Sequence, residues 1–131
     1  MPILVYVLVG SAVGGAARYL LGTWVQQRLA GTFPIGTLVI NVTGSILLAF
    51  VLRYSLDTTA VSAEVRALLT TGFCGGYTTF STFSYETVKL IEDGDWRRAG
   101  LYMTLSVLLS VGAAVAGLAL AKQVLDLRRR L

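Results

Sequence analysis

The sequence predicts an all-α membrane protein with four transmembrane helices per subunit, and three observations carry the prediction. Hydrophobic residues make up 55% of the 131-residue chain and charged residues only 14%, against roughly 25% charged in soluble domains. The charges also cluster, leaving 24 uncharged residues between Arg28 and Arg53, 19 between Arg66 and Glu86, and 23 between Arg98 and Lys122. A hydrocarbon core of roughly 30 Å takes about 20 apolar residues in helical form to cross, so each gap holds one span.

The first span covers residues 3–25 and carries Arg18 near its end. The second, third and fourth cover residues 33–54, 66–90 and 98–123. Short polar connectors join them at Gln26 to Thr32, Ser55 to Glu64 and Glu92 to Arg97, with Pro34 and Gly94 marking two of the boundaries. Residues 1–131 therefore read as a single transmembrane domain with no space for a soluble one. Apolar residues follow Met1-Pro2 directly, with no basic run before them, so no cleaved signal peptide is expected. The expected location is a plasma membrane, in multi-pass form.

Several function classes drop out on composition. The formal charge is +4, but Arg128, Arg129 and Arg130 supply three of those charges just past the last span. Such a cluster suits anionic lipid headgroups or a cytoplasmic helix end. No basic face occurs elsewhere, so nucleic acid is not an expected partner. The chain has no histidine and one cysteine, Cys74, which removes His-dependent triads and any intrachain disulfide. No enzyme activity is expected.

The third span is built unlike an ordinary membrane helix. Gly72 to Ser84 reads GFCGGYTTFSTFS. Three glycines weaken the helix where lipid otherwise enforces it, and hydroxyls and phenylalanines follow at once. A break is expected over Gly72–Thr79, and exposed carbonyls at such a break can hold a monovalent cation. A plain kink fits these glycines equally. Phe80 and Phe83 lie one helical turn apart among Ser81, Thr82 and Ser84. Their ring edges are electropositive and can face a dehydrated anion without a fixed charge, which would hold the ion too tightly to release it.

Other polar residues lie inside the spans. Asn41 is in the middle of span two, where an amide must face protein or water. Interhelical bonding and pore lining both fit it. Tyr102, Ser106 and Ser110 form a hydroxyl stripe at i, i+4 and i+8 in span four. Pairs of small residues four apart (Gly10 and Gly14, Gly72 and Gly76, Ala113 and Gly117) suit close helix packing. Charge counts bias orientation only weakly. With four spans, one side holds Arg53, Arg66, Lys122 and the terminal triplet, and the other holds Arg28, Lys89, Arg97 and Arg98. Insertion both ways and a fixed topology with the C-terminus inside are both compatible with that balance.

The signature GFCGGYTTFSTFS, the Asn41-Val42-Thr43-Gly44 run and Gly14-Gly15-Ala16-Ala17-Arg18 together resemble the Fluc/CrcB family of fluoride channels, over essentially the whole chain. The resemblance implies a fluoride-selective channel for passive efflux that lowers cytoplasmic fluoride across the bacterial inner membrane. It implies an antiparallel, dual-topology homodimer with two pores and a structural sodium ion at its centre. Carbonyls of Gly75 and Thr78 match the sodium ligands of the family. Phe80 and Phe83 match its aromatic box, Asn41 its pore amide, and Tyr102, Ser106 and Ser110 its fourth-span polar track. Ser81 and Thr82 match hydroxyls that contact the ion, and Arg18 matches a vestibule arginine. Glu86 lies close to the same route. Fluoride and membrane lipid are the implied partners besides a second copy of the chain. The alternative is a small proton-coupled multidrug exporter, which needs a carboxylate in its first span; span one here has none. A non-conducting scaffold subunit is a third reading.

Overall fold

Pro2 opens the first helix, where a missing N–H costs no intrahelical bond. Helix α1 then runs over Pro2–Arg28 in the computed structural model, which describes residues 2–29 and 31–131. Gln26 clamps the turn that follows. Its Nε2 donates to the Phe33 carbonyl at 3.0 Å, and its Oε1 accepts from the Gly36 N–H at 3.0 Å. Helix α2 (Ile35–Leu56) starts there. The turn closes tightly because Gly36 has no Cβ; one added there would approach the Gly22 carbonyl oxygen to 2.5 Å.

Ser62 caps the next rod, accepting from the Val65 N–H at 3.2 Å. The rod begins as α3 (Ala63–Ala67), widens into a π-helical segment (Leu68–Cys74) and ends as α4 (Gly75–Tyr77). Two extended residues follow, Thr78 (φ −85°, ψ 157°) and Thr79 (φ −152°, ψ 116°). Thr79 then caps α5 (Phe80–Glu92). After Gly94, with φ 78°, and an Asp95 cap on the Arg98 N–H, α6 runs over Trp96–Arg130. Helices α1, α2 and α6 are each long and apolar enough to cross a membrane. Three such helices make this a multi-pass all-α membrane protein, with the pieces from α3 to α5 forming a broken rod against α1 and α2. At about 1.5 Å per residue, the 35 residues of α6 reach well past a roughly 30 Å core, leaving its charged ends outside.

The break falls within the expected stretch Gly72–Thr79, at its last two residues. The glycines themselves remain helical: Gly75 has φ −63° and ψ −38°. Their use is close approach. An added Cβ on Gly10 would lie 2.2 Å from the Leu68 oxygen, on Gly14 2.2 Å from the Phe73 oxygen, and on Gly76 2.5 Å from the Ser11 oxygen. Backbone thus packs on backbone along the α1 seam, the route to dispersion energy where lipid offers no hydrophobic drive. Gly117 gives α6 the same access to α2, since its Cβ would meet the Ile46 oxygen at 2.3 Å.

One core cluster forms where α2, α5 and α6 meet. Leu38, Leu90, Ala99 and Tyr102 are buried there, with Phe33, Val42, Phe83 and Leu105 packed around them. Tyr102 is 0% exposed, and Phe33 and Phe83 meet its ring edge-on at 5.5 and 5.1 Å. Outward faces of α1 and α6 carry exposed Val, Leu and Ile side chains, as lipid or a partner helix requires.

Candidate ion pathway

The break has backbone groups to satisfy, and α2 supplies a side chain for them. Asn41 Oδ1 accepts from the Thr79 N–H at 2.8 Å, and Asn41 Nδ2 donates to the Thr79 carbonyl at 3.0 Å. The amide acts as a one-residue strand, pairing both polar groups of an extended residue. Only one of its two N–H bonds is spent in this way. Asn41 thus bonds between elements, and it also lines a cavity.

That cavity, of ≈ 330 Å³, is bounded by Asn41, Ser45, Thr78, Thr79, Phe80, Phe83, Ser106 and Ser110, with Leu48 and two valines. Among the described residues, no ionisable side chain lines it. Ser106 Oγ is buried and has no hydrogen-bond partner among the described residues. An orphaned hydroxyl costs free energy unless a ligand or water meets it. The Phe80 and Phe83 centroids are 5.5 Å apart with ring planes tilted by 50°. Phe83 is partly buried, whereas Phe80 is 79% exposed, so its ring stands outside the packing of its own chain.

A wider cavity of ≈ 590 Å³ lies on the other side of the break, lined by Arg18, Gln26, Thr37, Thr79, Thr82 and Glu86 among others. Thr79 bounds both cavities. Arg18 makes no ion pair among the described residues and faces this space. Glu86 accepts two hydroxyl bonds, from Thr37 Oγ1 at 2.7 Å and from Tyr102 Oη at 2.8 Å. Those donors hold the carboxyl group in place, and it makes no ion pair among the described residues.

The sequence-predicted residues therefore divide. Asn41, Phe80, Phe83, Ser106 and Ser110 meet at the narrower cavity. Arg18 and Thr82 face the wider one, where Thr82 Oγ1 accepts from Thr79 Oγ1 at 2.9 Å. Ser81 is exposed and lines neither, with its Oγ 3.3 Å from Thr79 Oγ1. Tyr102 leaves the hydroxyl stripe because its longer side chain carries the phenol to Glu86. Thr37 and Ser45 are lining residues that the sequence reading does not single out, whereas Thr79 belongs to the hydroxyls that follow the glycines. Thr37 and Ser45 lie four residues either side of Asn41 on α2, so helical spacing could have found both.

The backbone of the break also meets a chemical test for a cation. In a continuous helix the Thr79 N–H bonds the Gly75 carbonyl and the Thr82 N–H bonds the Thr78 carbonyl. Here the first goes to Asn41 Oδ1 and the second to Thr79 Oγ1, at 2.8 and 3.2 Å. Both carbonyls thus lose their helical donors, which leaves hard neutral oxygens fit for a monovalent cation. No cluster of His, Cys, Asp or Glu among the described residues competes as a metal site.

The sequence model of the family described as CrcB-like protein, Camphor Resistance (CrcB), matches residues 5–118. The chain belongs to the CrcB family. Among similar proteins, the fluoride-specific ion channel FluC of Syntrophotalea carbinolica is 45% identical over 120 residues, covering 92% of this chain and 98% of its own. FluC of Geobacter sulfurreducens is 46% identical over 123 residues, covering 94% of this chain and 99% of its own. FluC of Nitrobacter winogradskyi is 48% identical over 121 residues, covering 88% and 92%. In this CrcB-family chain the matched region contains both cavities, the broken rod and all but the last part of α6.

Proposed function

We propose that the chain is the subunit of a fluoride-selective channel that lets fluoride leave the cytoplasm passively across the bacterial inner membrane. The observation that carries the reading is the narrower cavity. It gathers an amide N–H, three serine hydroxyls (one of them orphaned) and two phenylalanine rings, with no fixed charge among the described residues. Fluoride holds its water strongly and must exchange it for several donors at once. Neutral donors allow that exchange and still let the ion go. The names of the relatives support the choice of halide. No chemical step is involved, so the protein needs no catalytic residue.

Assembly belongs to the same reading. Two copies pair antiparallel, a topology the near-even charge balance permits. Phe80, exposed in its own chain, faces the partner. The Gly75 and Thr78 carbonyls would hold a structural sodium ion at the dimer centre, which would supply a positive charge to fix the carbonyl dipoles. Arg128 to Arg130 meet anionic lipid headgroups, with Arg128 anchored to Tyr54 Oη at 2.9 Å.

Purified protein in liposomes loaded with fluoride, with a potassium ionophore to clamp the potential, tests the reading. Fluoride appearing outside, read by electrode, without a proton gradient is the expected result. Efflux of a cationic drug driven by protons would support an exporter instead, and no flux of any ion would support a scaffold subunit.

A further inference from the structure

Helix α2 grips the break from both flanks. Asn41 holds the far side through Thr79, and a pair outside both cavities holds the near side. Tyr77, the last residue of α4, is 6% exposed, and its ring stacks on Phe73 at 5.6 Å with a 13° interplanar angle. Its hydroxyl lies 2.8 Å from Thr43 Oγ1. Thr43 has one proton and directs it to the Val39 carbonyl at 2.7 Å, so the phenol donates and Thr43 accepts. Between the flanks lies Gly44, where an added Cβ would come within 2.2 Å of Thr78 Cγ2. At about 100° per residue, Asn41 projects about 60° to one side of Gly44 and Thr43 about 100° to the other. Contacts from one turn of α2 thus fix the path of residues 77 to 79. The two carbonyls without helical donors, on Gly75 and Thr78, lie just before and just after the braced ring.

We propose that Tyr77 and Thr43 are positioning residues: their hydrogen bond sets the aim of the Gly75 and Thr78 carbonyls, and so the cation affinity of the break, without touching an ion. This rests on the sodium reading above. The two substitutions are not equivalent. Thr43→Val strands a buried phenol without an acceptor, whereas Tyr77→Phe removes the donor and leaves Thr43 bonded to Val39. Thr43→Val is therefore the more disruptive change, and adding Tyr77→Phe relieves it, a sign that independent sites do not give.

The test titrates sodium against N-methylglucamine at constant ionic strength on the detergent-solubilised full chain. It reads the sodium concentration at half of the sodium-dependent rise in melting temperature. Fluoride efflux from vesicles at saturating sodium is the companion measurement. Thr43→Val is expected to raise the midpoint about fivefold, and Tyr77→Phe and the double variant about twofold each, with efflux at saturation kept. Lower melting temperatures with unmoved midpoints would mean a merely structural contact and overturn the proposal, as would additive effects in the double variant. A wild-type curve flat in sodium would defeat the sodium reading and this inference with it. A saturable wild-type curve with unmoved variants defeats the brace alone. If Thr43→Val does not fold, Tyr77→Phe decides, and an unmoved midpoint overturns the proposal.

Discussion

Replacing Asn41 by aspartate changes one NH₂ group into an oxygen, and the structure sets the size of the effect. The acceptor half survives, since a carboxylate oxygen still meets the Thr79 N–H now bonded at 2.8 Å. The donor half inverts: the Thr79 carbonyl, which accepts at 3.0 Å, faces an oxygen instead. Stranding that carbonyl costs about 1–3 kcal/mol. The ion feels the change more strongly than the backbone does. A unit negative charge about 4 Å from fluoride repels it by about 4 kcal/mol at an effective dielectric of 20. At about 1.4 kcal/mol per factor of ten, fluoride efflux falls roughly a thousandfold at neutral pH. The assay is electrode-detected efflux from vesicles, with gel filtration as the check on assembly. Acidifying the vesicles protonates the introduced carboxylate, restores an O–H donor and recovers part of the rate. Efflux within threefold of wild type at neutral pH, with the protein assembled, would refute the placement of Asn41 beside the ion.

Three further outcomes are expected. Phe80→Ile and Phe83→Ile should each cut fluoride efflux more than about tenfold by removing a ring edge; only Phe83→Ile should also destabilise the chain, by about 1 kcal/mol, because it loses the edge contact with Tyr102 at 5.1 Å. Equal melting temperatures for the two variants would contradict the assignment of their environments. Ser106→Ala removes a buried hydroxyl with no partner, so melting should stay level or rise while efflux falls; a clear loss of stability would show that the hydroxyl is bonded. Gly10→Val places branched carbons where a single Cβ already meets the Leu68 oxygen at 2.2 Å, and should cost about 1–3 kcal/mol or prevent recovery of monodisperse protein. Normal yield and melting would count against the α1 seam.

Much of this arrangement was legible in the sequence because helices repeat. The three uncharged gaps point to α2, the broken rod and α6. Phe80 and Phe83 at i, i+3 and Ser106 and Ser110 at i, i+4 must share faces, and both faces open on the same cavity. Tyr102 shares the serine face by spacing, yet its hydroxyl is carried to Glu86 by the length of its side chain, which periodicity does not encode. The glycines misdirect for a different reason. Lacking a Cβ permits both unusual backbone angles and close approach, and Gly72 and Gly76 use the second. What ends the rod is the competition of Asn41 and the Thr79 hydroxyl for N–H groups that would otherwise continue it. That competition depends on a residue 38 positions away in the chain, so no local pattern reveals it. Sequence places Glu86 close to the same route, but not the convergence on it of Thr37 and Tyr102, which come from two other helices.

The most direct test of neutral donors as the conducting element is the reversal potential of reconstituted protein with fluoride on one side of the bilayer and chloride on the other. Uncharged dipoles shaped for the smaller ion should hold that potential close to the fluoride equilibrium value at every salt concentration used. A potential near zero, meaning the two halides pass alike, or the absence of any current through demonstrably assembled protein, would contradict it.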